Sequence, residues 1–185
     1  MSSLRIRASL LGLAAGLGLA ATIGASFSAA PAAAQAEPNP LRGTGLPVPR
    51  FVSLKSDDVN VRRGPGGAYD VAFTFVRASL PVEIIQEFDN WRKIRDSEGS
   101  EGWVFASLLS GERTAIVAPW EPEGQFAARR TAGGGAPIVA YLQPRVVASV
   151  EECTGSWCLV TGEGFVGWIE QKRLWGVYPE ERFEE

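Results

Sequence analysis

Two stretches decide the fold: Trp91-Arg92-Lys93-Ile94-Arg95, then a polar turn at residues 97–100, then Gly102-Trp103-Val104; and Trp157-Cys158-Leu159-Val160-Thr161, a glycine turn at residues 162–164, then Gly167-Trp168-Ile169. Each is two short β-prone runs joined by a turn, the pattern of a hairpin. The second copies the first about 66 residues later. Upstream, Val61-Arg62-Arg63 before a glycine cluster has its counterpart in Ala128-Arg129-Arg130, and Val71 to Phe75 in Ile138 to Leu142. Self-similarity at a fixed offset indicates one structural unit made twice. Val82 and Ile84 alternate with polar neighbours, a period of two. Beyond Pro49 there is no 3.6-residue apolar stripe, so the fold class is all-β, two small barrels or sandwiches in tandem.

Strand parity sharpens this. If Ile94 faces a core, Trp91, Lys93 and Arg95 share the other face, and Val104 inward leaves Phe105 outward.

Outward from the repeat, residues 1–36 have the pattern of a secretory signal peptide. Arg5 and Arg7 precede an uncharged Leu/Ala/Gly-rich stretch, and Ala34-Gln35-Ala36 offers small residues at a cleavage site before Glu37. Retention as an anchor is the alternative, but Gly, Ser and Pro31 dilute the stretch relative to a spanning helix. No later run is long and apolar enough to cross a bilayer. The proline-rich residues 37–50 are expected to be a flexible linker, and the acidic tail, residues 179–185, to be solvated and mobile.

Losing Arg5 and Arg7 takes the formal net charge from −3 to −5. That argues against nucleic acid or an anionic membrane as the main partner, since both need clustered basic charge. Cys153 and Cys158 are expected to form a disulfide in an oxidising compartment. The chain has no histidine, which excludes a Ser-His-Asp triad, a Cys-His dyad and a His-ligated metal site. Asp57/Asp58 and Glu151/Glu152 are adjacent carboxylates, but neighbours on a strand point to opposite faces. No catalytic residue, cofactor or metal is expected.

The run from Asp57 to Val71, with Asn60-Val61-Arg62-Arg63-Gly64-Pro65-Gly66-Gly67, resembles the opening motif of bacterial SH3-like domains. Trp91 to Asp96, Gly102-Trp103-Val104 and Ser107-Leu108-Leu109 resemble their closing strands. The resemblance spans residues 51–113 closely. It extends to residues 114–178 in weaker form, where Ala127 replaces Asn60 and Ala132-Gly133-Gly134 replaces Pro65-Gly66-Gly67. It implies five or six strands per half, a long first loop at residues 57–69, a second loop at residues 88–90 and a single helical turn near Ser107. It also implies a ligand groove of Tyr69, Trp91, Phe105 and Leu108, edged by Asp57, Asp58 and Asn90. The second half keeps Trp157 but has Glu170 and Arg173 where the first has Phe105 and Leu108, so it is expected to be a degenerate, structural copy. An exported, periplasmic or cell-envelope binding module for cell-wall peptide or an extended protein segment follows. The competing reading is an assembly protein whose two barrels pack together or dimerise, with Trp91 and Tyr69 buried between them.

Overall fold

The computed structural model describes residues 43–184; the signal peptide expected at residues 1–36 lies outside them. In the first half, β1 (Arg50–Leu54), β2 (Val59–Arg62), β3 (Val71–Phe75), β4 (Pro81–Phe88), β5 (Trp91–Arg95) and β6 (Glu101–Phe105) are followed by a 3-10 turn (Ala106–Leu108) and β7 (Leu109–Ser110). They form one antiparallel sheet in the order β3-β2-β6-β5-β4-β1-β7. Leu54, Val59, Val82, Ile94, Val104 and Leu109 meet in a single core. Residues from both ends of the strand order share that core, so the sheet is bent on itself into a small barrel.

The second half repeats this step by step: β8 (Thr114–Val117), β9 (Phe126–Arg129), β10 (Ile138–Leu142), β11 (Val147–Thr154), β12 (Trp157–Gly162), β13 (Phe165–Glu170), a 3-10 turn (Gln171–Arg173) and β14 (Leu174–Trp175). The order is β10-β9-β13-β12-β11-β8-β14, around Val117, Ala128, Val150, Val160 and Ile169. Even the bulges recur, between Ile84 and Gln86 in β4 and between Val150 and Glu152 in β11. Each half has seven strands rather than the five or six the resemblance implied, because β7 and β14 are two-residue strands too short to show in a pattern.

A closely matched pair sits at the equivalent place in each copy. Cys153 lies directly opposite Cys158 across β11 and β12, with Cα atoms 4.1 Å apart, and the two are disulfide-bonded. In the first barrel the same register position holds Glu87 opposite Arg92, joined as an ion pair at 3.0 Å. Arg92 is buried and also donates to the carbonyls of Asp89 and Trp91. One barrel is clamped there by a covalent bond and the other by a charge pair.

Two expectations are corrected. The described end of the linker is not free: Thr44 donates its N–H and its hydroxyl to Glu87, and Arg50 pairs with the same carboxylate, so residues 44–50 are fastened to β4, while residues 37–42 of the expected linker lie outside the described residues. Nor is the acidic tail free. β15 (Arg182–Glu184) pairs antiparallel with β11, and Arg113 stacks its guanidinium 4.6 Å from the Phe183 ring while pairing with Glu181 at 2.9 Å.

The barrels touch through aromatic side chains. Phe51 on β1 packs edge-on against Trp175 with ring centres 5.2 Å apart, and against Tyr178 at 4.8 Å. The Tyr178 hydroxyl donates to Glu83 at 3.0 Å. Burial and the adjacent Glu83 carboxylate push that phenol well above its ordinary pKa, so it remains a donor. At the junction, Arg113 donates to the Gly176 carbonyl and Gln171 donates to the carbonyls of Tyr178 and Glu181. Among the described residues, no helix is long and apolar enough to cross a membrane.

Candidate binding surface

In β5 the burial alternates as parity requires: Arg92 and Ile94 are buried, while Trp91, Lys93 and Arg95 are half-buried. Trp91 stands opposite Phe105 on β6, with ring centres 5.4 Å apart at 74°. On its other side Trp91 stands opposite Phe88 on β4. Residues directly opposite in an antiparallel pair share a face with Cβ atoms about 5 Å apart. Phe88, Trp91 and Phe105 therefore form an aromatic row across three adjacent strands. Phe88 is 45% exposed and Phe105 38%. Lys93 and Arg95 continue this face, but both are held by Glu101, at 2.7 and 2.8 Å. They hold Glu101 below the usual carboxylate range.

The sequence reading placed Phe88 in a loop and missed it as a surface residue. It closes β4, and only Asp89-Asn90 forms the turn. A two-residue turn fixes the register that sets Phe88 against Trp91, and that turn length was the available signal.

Asn90 sits on the turn beside this row, and its carbonyl accepts the N–H of Ala106 at 2.8 Å, tying the turn to the 3-10 segment. Leu108 is half-buried and packs on the core, with its carbonyl accepting from Lys55 at 2.9 Å. That bond brings the Lys55 end of the first loop to the 3-10 turn, and exposed Asp57 and Asp58 follow shortly after it. Tyr69 is 51% exposed and belongs to its own loop. Its ring lies over Gly64, where any Cβ would come within 2.4 Å of it, and its carbonyl accepts from Arg62 at 2.7 Å. Neither Trp91 nor Tyr69 takes part in the aromatic contact between barrels, which is made by Phe51, Trp175 and Tyr178.

In the second barrel Trp157 is opposite Glu170, so the aromatic row is broken there. This face does not look outward alone. With Phe51, Trp120, Trp175 and Tyr178 it lines a cleft of about 1080 Å³ whose far wall is the Arg95–Gly99 turn region of the first barrel.

A family model described as "Bacterial SH3 domain" matches residues 55–111 and 123–176. The chain is 23% identical over 128 residues to the "Putative N-acetylmuramoyl-L-alanine amidase YrvJ" of Bacillus subtilis, an alignment spanning 64% of this chain and 24% of that protein. Two solved structures from Trichomonas vaginalis, NlpC2 and NlpC1, are similar at 11% and 13% identity, covering 69% and 72% of this chain and 48% of each of theirs, both with a TM-score of 0.30.

Proposed function

Since the chain belongs to the bacterial SH3 domain family, we propose that it is a non-catalytic binding module of the cell envelope, taking a cell-wall peptide or an extended protein segment on the first barrel. The observation that carries this is the row Phe88–Trp91–Phe105, three aromatic side chains in register on adjacent strands, with Phe88 and Phe105 exposed on either side of a half-buried Trp91. Such a row presents flat, apolar area at low entropic cost to a preformed extended chain. Asn90 and the loop carboxylates Asp57 and Asp58 supply polar groups at the edge. The partial likeness to an amidase supports a cell-wall ligand, and the disulfide suits an exported protein.

The test is tryptophan emission during titration with purified peptidoglycan fragments, for the parent and for Trp91→Ala. A saturable change in the parent that is lost in the variant supports the reading; a flat parent titration overturns cell-wall binding by this row. Assembly is the second reading, favoured by the Phe51–Trp175–Tyr178 contact that joins the barrels. It predicts that the two barrels unfold together as one unit, a coupling that Trp91→Ala leaves intact.

A further inference from the structure

The cleft between the barrels shares no residue with the aromatic row. Its volume, about 1080 Å³, lies just above the about 300–1,000 Å³ typical of ligand pockets, too large for one amino acid and suited to a few residues of peptide. Phe51, Trp120, Trp157, Trp175 and Tyr178 stand in its wall, and Trp120 is 53% exposed.

Its charge is one-sided. Five carboxylates line it, Glu83, Asp96, Glu98, Glu170 and Glu180, against two cations, Arg95 and Lys172. Both cations are already engaged, Arg95 with Glu83 and Glu101, and Lys172 with Glu170. Asp96 is used within its own turn, accepting the N–H groups of Glu98 and Ser100. Glu98 and Glu180 have no ion pair among the described residues and are exposed at the rim. Gln171 is 4% exposed, with its amide nitrogen committed to the carbonyls of Tyr178 and Glu181, and its Oε1 has no partner among the described residues; the Trp175 indole N–H likewise has none. Buried polar groups are ordinarily satisfied; these two atoms lie sealed behind the wall rather than facing the cleft, so the case for a ligand rests on the aromatic lining and the charge.

We propose that this cleft is a second binding site, for a short peptide segment that carries a primary ammonium flanked by apolar or aromatic side chains. The ammonium sits over the indole faces of Trp120 and Trp157 in a cation–π contact, within reach of the Glu98 and Glu180 carboxylates. The flanking side chains cover Phe51 and Trp175. Both barrels contribute, so neither copy alone carries the site. The degenerate look of the second barrel's groove, with Glu170 in place of an aromatic, is then a change of ligand chemistry rather than a loss of function.

The probe is the blocked tripeptide acetyl-Phe-Lys-Phe-amide, with acetyl-lysine or glutamate replacing lysine in two controls, titrated into the full chain by calorimetry. The lysine peptide is expected to bind saturably and about tenfold or more tighter than the acetyl-lysine peptide, the scale of a cation–π contact with its charge partners. Raising salt weakens it. The double variant Glu98→Gln/Glu180→Gln alters exposed side chains without touching the core, and it is expected to weaken binding about fivefold or more, as is Trp157→Ala. Trp91→Ala leaves this binding unchanged, which separates the cleft from the aromatic row whichever way the row's own test falls. No saturation by the lysine peptide, equal affinity for the acetyl-lysine peptide, or unaltered affinity in the glutamine double variant each overturns the proposal.

Discussion

Replacing Phe51 with alanine removes from the first barrel a ring whose partners belong to the second. Phe51 is 7% exposed and meets both Trp175 and Tyr178 within 5.2 Å between ring centres. A phenyl ring so placed buries about 150 Å², worth about 4 kcal/mol at about 25 cal/mol per Å². The ring also stands in the wall of the inter-barrel cleft, so water fills the vacated space and no closed void remains. The expected loss therefore lies at the low end for deleting a buried phenyl, about 3 kcal/mol. For a folded body of this size that is roughly a 10 °C fall in melting temperature. Calorimetry with urea titration followed by tryptophan emission measures it, and both barrels report, since Trp91 and Trp103 lie in the first and Trp120, Trp157, Trp168 and Trp175 in the second. Phe88→Ala, which deletes the same ring from an exposed position, is the control and should cost less than about 1 kcal/mol. A loss for Phe51→Ala no greater than that control would refute the view that this contact couples the barrels.

Glu87→Gln tests the charged clamp of the first barrel. Burial alone would raise the Glu87 carboxyl, but Arg50, the N–H and hydroxyl of Thr44, and Arg92 together hold it below its ordinary 4.5. A carboxyl lowered on folding stabilises above its unfolded pKa, and that contribution is lost as pH falls through the folded value. The variant should thus be less stable than the parent at pH 7, with the gap narrowing as pH falls through that lowered value; urea midpoints at pH 7 and pH 3 that differ equally would contradict this. Gly176→Ala should destabilise by about 2 kcal/mol or more, because φ is +122° there and a Cβ would meet the Thr114 carbonyl oxygen at 2.3 Å and the Ala115 Cα at 2.8 Å. Gly134→Ala, with nothing within 4 Å, should be neutral in the same thermal melt.

What the sequence carried well was local and periodic. Alternation in β5 and β6 put Ile94 and Val104 inside and Trp91 and Phe105 outside, as found, because strand period is a property of the backbone alone. The spacing of Cys153 and Cys158 admitted a bridge because a hairpin sets such residues face to face. Phe88 escaped because its side depends on where the turn begins and on the bulge between Ile84 and Gln86, which resets parity along β4. The tail escaped because its acidic composition spoke for solvation, whereas Glu181 is held by Arg113, 68 residues earlier, and no local pattern encodes such a partner. The identities at Glu170 and Arg173 were read correctly, but the surface they face depends on how two barrels meet, which rests on the aromatic side chains of Phe51, Trp175 and Tyr178.

The junction also sets an order of events during synthesis. All seven strands of the first barrel lie within residues 50–110, so that barrel has every strand it needs once Ser110 is available. The partners of Phe51 come much later, at Trp175 and Tyr178. At about 5–20 residues per second the nascent chain needs roughly 3–14 s to add them. For that interval the first barrel displays a bare phenyl ring beside the Glu83 carboxylate, a surface finished only when the second barrel closes. A chain that ended between the two would leave that ring without its Trp175 and Tyr178 partners.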